Sequence, residues 1–241
     1  MALDGVEWNW PPTLQPTSQI LDEKAIQRMT VSLKGKQLLD LYATMARDGY
    51  QTVDHQTIEH AFNDMEICAF RAPVRDLLKQ FQIASLLDYG CGGSDYEVAG
   101  FDENLSAKEY FGLSEVYRYE PARKIDQRQR TDAVVCFDVL EHVFIADLAE
   151  TIRELFSLTG RLLIVNVACY AARALLPNGE NAHITVRPPL WWKGMIDSIA
   201  VEFPDVSIQL FCSVGWRKVE AYPIWSASQW LNSPAFVTNI F

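Results

Sequence analysis

The chain has 241 residues, 21 Lys and Arg against 31 Asp and Glu for a formal charge of -10, and 49% hydrophobic against 22% charged residues. That acidity disfavours nucleic acid as a partner, and the composition excludes disorder, collagen and coiled coil. Five widely spaced cysteines without a C-x-x-C pair, and no apolar stretch of membrane-spanning length, point to a reduced, cytoplasmic chain with no membrane partner and no need of a disulfide.

Residues 1–12, with Trp8, Trp10, Pro11 and Pro12, are expected to form an extended arm. Apolar positions from Ile20 to Met45 keep a helical period, and Gly35 reads as a break, so 18–48 predicts two short helices. A second helical block covers 57–82, interrupted at Pro73, so 1–82 is read as an arm and a helical cap. After Gln82 the period changes. Residues 83–88 (IASLLD), 116–120 (VYRYE) and 132–138 (DAVVCFD) read as short strands, each ending in an acid: Asp88, Glu120 and Asp138. Residues 147–158 have helical spacing with Gly160 as the expected C-cap, and 161–167 reads as a fully buried strand. The alternation predicts an α/β fold with a mostly parallel sheet over 83–241. A long irregular stretch, 168–189, is of a length that is usually functional. Beyond it, 190–203 reads as a helix, and 206–212 with 218–225 as an antiparallel strand pair.

Ligands of open α/β sheets bind outside the carboxyl ends of the strands. Gly90, Gly92 and Ser94 there permit close backbone approach, and Glu120 is placed to accept hydrogen bonds from both hydroxyls of a ribose. Such a glycine turn also serves simply to connect a strand to the next element.

The segment 88–94 (DYGCGGS) resembles the D-x-G-x-G-x-G motif of class I S-adenosylmethionine-dependent methyltransferases, with Ser94 in place of the last glycine. Tyr119-Glu120-Pro121 resembles their acidic ribose motif, and 138–143 (DVLEHV) the segment after their fourth strand. The resemblance covers 83–167. It implies a Rossmann-like methyltransferase sheet with an antiparallel C-terminal hairpin strand, and S-adenosylmethionine as the cofactor, released as S-adenosylhomocysteine. Laid onto this chain, it puts Asp88, Gly90, Cys91, Gly92 and Ser94 at the amino-acid end of the cofactor. Glu120 and Pro121 fall at the ribose, and Asp138, Val139 and Leu140 near the sulfonium and adenine. The short stretch between Glu120 and Asp132 makes the third strand short or missing, leaving Ile125 and Asp126 for the adenine contact. Residues 176–192 are similar to a small subset carrying L-P-[ND]-G-x-N-A-H-[LI]-T and a following W-W. A nicotinamide cofactor is disfavoured, because Asp95 stands where G-x-G-x-x-G needs glycine.

His183 and His142 are the candidates for a general base, each with a structural alternative. Tyr170, Asn181, Arg187 and Trp191 fall on the acceptor side, within a loop read as 168–192. No metal site is expected: Glu141, His142 and His183 show no H-x-x-x-H or E-x-x-E-H spacing. Arg118, Arg123, Lys124, Arg128 and Arg130 read as a solvated connector. The expectation is a methyltransferase, monomeric or homodimeric, acting on a small-molecule acceptor such as a sugar or glycoconjugate hydroxyl or amine. The alternatives are a non-catalytic S-adenosylmethionine-binding regulator or scaffold, and an RNA methyltransferase.

Overall fold

The computed structural model describes residues 31–59, 66–215 and 218–229, and the backbone of 236–238. The expected arm and the first part of the 18–48 helical segment lie outside the described residues.

Ser32 caps α1 (Leu33–Asp48), its hydroxyl accepting the Gly35 N–H, and Gly49 at φ +79° ends it. Gly35 therefore does not break the helix. It sits in the first turn, where a Cβ would run into the Asp147 carboxylate, whose oxygens accept the Ser32 N–H and O–H at 2.9 and 2.7 Å. The next residues form a hairpin, β1 (Tyr50–Thr52) and β2 (Thr57–Ile58), in place of the helix expected from residue 57. A 3-10 turn over Glu66–Phe70 leads into α2 (Arg71–Gln80). Pro73 does not interrupt it, because it falls in the first turn, where a missing N–H forfeits no helical bond.

There follow β3 (Ser85–Tyr89), a hairpin of β4 (Ala99–Asp102) and β5 (Leu105–Ser106), and α3 (Ala107–Phe111), which opens on a Ser106/Glu109 capping box. Next come β6 (Glu115–Glu120), β7 (Ile125–Asp126), β8 (Thr131–Phe137) and α4 (Leu148–Leu158). The rest of the chain gives β9 (Thr159–Ala168), β10 (Ala174–Leu175), α5 (Pro189–Ala200), β11 (Ser207–Gly215), β12 (Lys218–Ala221) and β13 (Phe236–Thr238). Gly160 is not a C-cap. Thr159 passes α4 directly into β9, and Gly160 lies in the strand, where a Cβ would stand 2.8 Å from the Thr131 carbonyl oxygen.

One eight-stranded sheet runs in the order β13-β12-β11-β9-β8-β3-β6-β7. Its five central strands are parallel, with Leu86 opposite Ala133, Val134 opposite Leu163 and Val165 opposite Leu210. The strands β7 and β12 pair antiparallel with β6 and β11. The third strand expected from the sequence is thus the two-residue β7, returning along the outer edge. A parallel sheet covered on both faces needs apolar residues at successive positions, and β8 and β9 supply them. Leu87, Val134, Cys136, Leu163 and Val165 face α4 and α5, while Leu86, Val135, Leu162 and Ile164 face α2 and α3. Fully burying each Leu or Ile contributes about 1.5–3 kcal/mol. Residues 71–80 accordingly pack on a face of the sheet.

Of the expected cap, α1 packs against the Pro121–Arg123 turn after β6. Its Leu38, Tyr42 and Met45 form a small third cluster with Leu176 and Ala182. Among the described residues, no helix is long and apolar enough to cross a membrane.

Candidate functional site

With β6 on one side of β3 and β8 on the other, the strand order reverses at β3, and the turns after these strands meet at the carboxyl edge. The turn after β3 is held from β6: the Gly90 and Cys91 N–H groups both donate to the Tyr119 carbonyl, at 2.7 and 3.1 Å. Gly90 has φ +86°, and a Cβ there would collide with Cγ2 of Val139 in the turn after β8. The sequence needs glycine at this position for both reasons. Ser94 is buried, and its carbonyl oxygen accepts a hydrogen bond from the Arg118 guanidinium at 2.7 Å. Cys91 is buried, and desolvation, then the Asp88 and Glu120 charges, push its thiol up to about 12, which leaves it unreactive.

Asp88 ends β3, 7% exposed, with Oδ2 accepting the Tyr96 hydroxyl at 3.0 Å. Desolvation outweighs that bond and raises its carboxyl to about 7. Glu120 ends β6 and accepts two backbone donors, Gly92 N–H at Oε2 (3.1 Å) and Ala122 N–H at Oε1 (3.0 Å), at the turn begun by Pro121. Burial still moves its carboxyl above the ordinary range. A carboxylate has about four lone-pair positions, so Glu120 retains acceptor capacity.

The turn after β8 opens with Asp138 at φ +57°, an uncommon conformation for a non-glycine residue, pinned by its N–H to the Asn166 carbonyl at 3.1 Å. Val139 packs against Gly90, and Leu140 is fully buried in the core on the α4 and α5 side. Glu141 is fully buried too. Its Oε1 accepts the Ala168 N–H, while Oε2 has no hydrogen-bond partner. Burial, then the adjacent Asp138 carboxylate, hold the Glu141 carboxyl far above its normal range.

His142 directs Nδ1 at the Ala182 carbonyl oxygen (2.8 Å), with the Tyr42 hydroxyl 3.2 Å away. That hydroxyl itself donates to Ala182 O at 2.6 Å. A carbonyl oxygen only accepts, so the proton of neutral His142 sits on Nδ1 and the lone pair on Nε2. Burial lowers the ring's pKa to about 4. His183 repeats the arrangement, with Nδ1 2.6 Å from the Tyr170 carbonyl oxygen. The two rings meet edge to face at 4.8 Å between centroids. One donor atom from each of Asp138, His142 and His183 lies within 4.8 Å of the others.

The residues expected on the acceptor side divide. Tyr170 is 40% exposed, its ring 5.9 Å from that of His183. Asn181 spends its amide within the loop, accepting the Ala172 and His183 N–H groups and donating to Ala172 O. Its role there is to position His183. Arg187 donates to Val186 O and lies 5.7 Å over the Trp191 ring, which packs edge to face on the fully buried Trp192. Part of the basic connector is structural: Arg128 pairs with Asp126 and Glu154 and covers the Tyr119 ring at 4.1 Å. Grooves of about 480 Å³ beside Leu77 and Phe211 and about 370 Å³ beside Tyr50 and Leu175 include none of the expected site residues.

Sequence reasoning missed Tyr42, which ties α1 to His142, and missed that Asp138, His142 and His183 cluster. The available signal was Asp138-x-x-x-His142, but its geometry comes from a 3-10 turn over Leu140–His142 and not from the helix assumed by the usual spacing rules. The chain matches no protein-family model, no curated protein and no solved structure.

Proposed function

We propose that the chain is an S-adenosylmethionine-dependent methyltransferase of Rossmann-like class I architecture, acting on a small-molecule acceptor such as a sugar hydroxyl or amine. The observation that carries the reading is the convergence, at the reversal of strand order, of the Gly90 to Ser94 turn, the Glu120 carboxylate bonded to that turn, and the Asp138 to Leu140 turn packed against Gly90. The residues suit such a cofactor: Glu120 has acceptor capacity left for ribose hydroxyls, and glycine at position 90 lets the turn close against Val139. The turn departs from the common pattern in one respect, since it leads to the β4–β5 hairpin and not to a helix N-terminus.

When bound, S-adenosylmethionine supplies an electrophilic methyl carbon on a sulfonium. The chain's task is to align the acceptor and manage its proton, and proximity alone supplies a large share of the rate. His183 is suited to the proton because its Nε2 carries the lone pair and Tyr170 O fixes the tautomer.

Calorimetric titration with S-adenosylmethionine and S-adenosylhomocysteine, with NAD as the control, tests the reading. Micromolar binding of the first two is expected and justifies acceptor assays starting from nucleotide sugars. Folded protein that binds neither would sink the proposal.

A further inference from the structure

We infer that Asp138, His142 and His183 form a binding site for one divalent transition-metal ion, a 2-His-1-carboxylate centre set on the carboxyl edge of the sheet. Two features carry it. The donor atoms come from three separate backbone contexts, a strand end, a 3-10 turn and a long loop, yet lie within 4.8 Å of one another. Each imidazole is oriented by a backbone carbonyl at Nδ1, Ala182 O for His142 and Tyr170 O for His183, which leaves both Nε2 lone pairs available. That is the outer bonding by which metal-binding histidines are usually held.

Two imidazole nitrogens with one carboxylate oxygen select zinc, cobalt, iron or manganese over magnesium and calcium, which prefer all-oxygen surroundings. Bonds of about 2.1 Å place ligands roughly 3.0–3.4 Å apart, so filling the site draws the three donors inward by about an ångström of side-chain rotation. Three protein ligands leave coordination positions for water or for an oxygen of an incoming molecule. Ligation would take the His183 Nε2 lone pair, so a bound ion and the proton-accepting role given to His183 above are alternatives for that residue; the site does not depend on the edge also holding a nucleoside cofactor.

The test uses the full chain, stripped with a chelator and titrated with Co²⁺ by visible absorption and with Zn²⁺ by calorimetry. One equivalent should bind with a micromolar or lower dissociation constant, unaffected by millimolar Mg²⁺. His183→Ala and Asp138→Asn should each weaken binding by 100-fold or more. His183 is partly exposed, so its variant is expected to fold, and a thermal unfolding curve checks this. Absence of Co²⁺ and Zn²⁺ binding by the folded wild type overturns the inference. So does binding that both substitutions leave unchanged, which would place the ion on other groups such as the cysteines. S-adenosylmethionine titration in excess chelator separates this outcome from that of the methyltransferase reading.

Discussion

At the scale of single residues, Asp88 is a carboxyl that folding takes out of water with one hydroxyl for company. It ionises near 3.9 in an unfolded chain and near 7 in the fold. Between those values the folded state holds a proton that the unfolded state has lost, so this residue's contribution is fully present below about pH 4 and is lost as the pH rises through 7. Asp88→Asn removes the dependence. The difference in unfolding free energy between variant and wild type, measured by urea titration, should change little below pH 4, grow in the variant's favour to pH 7 and level off above. Its ceiling is roughly 4 kcal/mol at about 1.4 kcal/mol per tenfold change in proton affinity. A difference independent of pH would mean that Asp88 is ionised inside the protein. Glu120 makes the complementary case, because its carboxylate serves the fold as well as the proposed ligand. Glu120→Ala strands two backbone N–H groups and should reduce S-adenosylmethionine affinity by about 1–3 kcal/mol. Unaltered affinity in a folded variant would remove the ribose role.

Among elements, the contact between the turns after β3 and β8 is the tightest test of the architecture. Gly90→Ala incurs the left-handed backbone, about 1–2 kcal/mol, together with the collision against Val139, about 1–3 kcal/mol. Adding Val139→Ala should recover part of the second loss and none of the first, so urea midpoints of the single and double variants separate the two. Strands β3, β6, β8 and β9 were legible in the sequence to within a residue or two: β8 and β9, buried on both faces, are written as apolar runs, whereas β6, without a fully buried residue, was read as a short strand ending at the acid Glu120. Gly35 and Gly160 were misread for one shared reason. Local rules assign glycine to breaks and caps, whereas here close approach of Asp147 and of the Thr131 carbonyl, both distant in sequence, decides. The β1–β2 hairpin was missed because two- and three-residue strands carry too little alternation to outweigh helical spacing nearby. At the site, the acids at strand ends were visible, whereas the meeting of His183 with His142 depends on the path of a loop that no periodicity encodes.

On the scale of the whole molecule, Tyr42 joins three parts that the sequence keeps apart: α1, the turn after β8 and the loop that carries His183. Tyr42→Phe leaves the ring packed and removes the hydroxyl, at about 0.5–1.5 kcal/mol. Hydrogen exchange should then quicken at the loop amides of Leu176, Ala182 and Thr185 while the centre of β8 and β9 stays protected. Uniform acceleration would show that the loop opens only with the whole fold.

The joint between α4 and β9 sets the mechanical character of this assembly. No spacer separates Leu158 from Thr159; the Thr159 hydroxyl reaches back to the Leu155 carbonyl at 2.7 Å, while its backbone already pairs with Thr131. A connection without slack cannot act as a hinge, so α4 and the middle of the sheet must travel as one rigid block. Compliance is left to the opposite end of β9, where the chain runs out into the loop bearing His183.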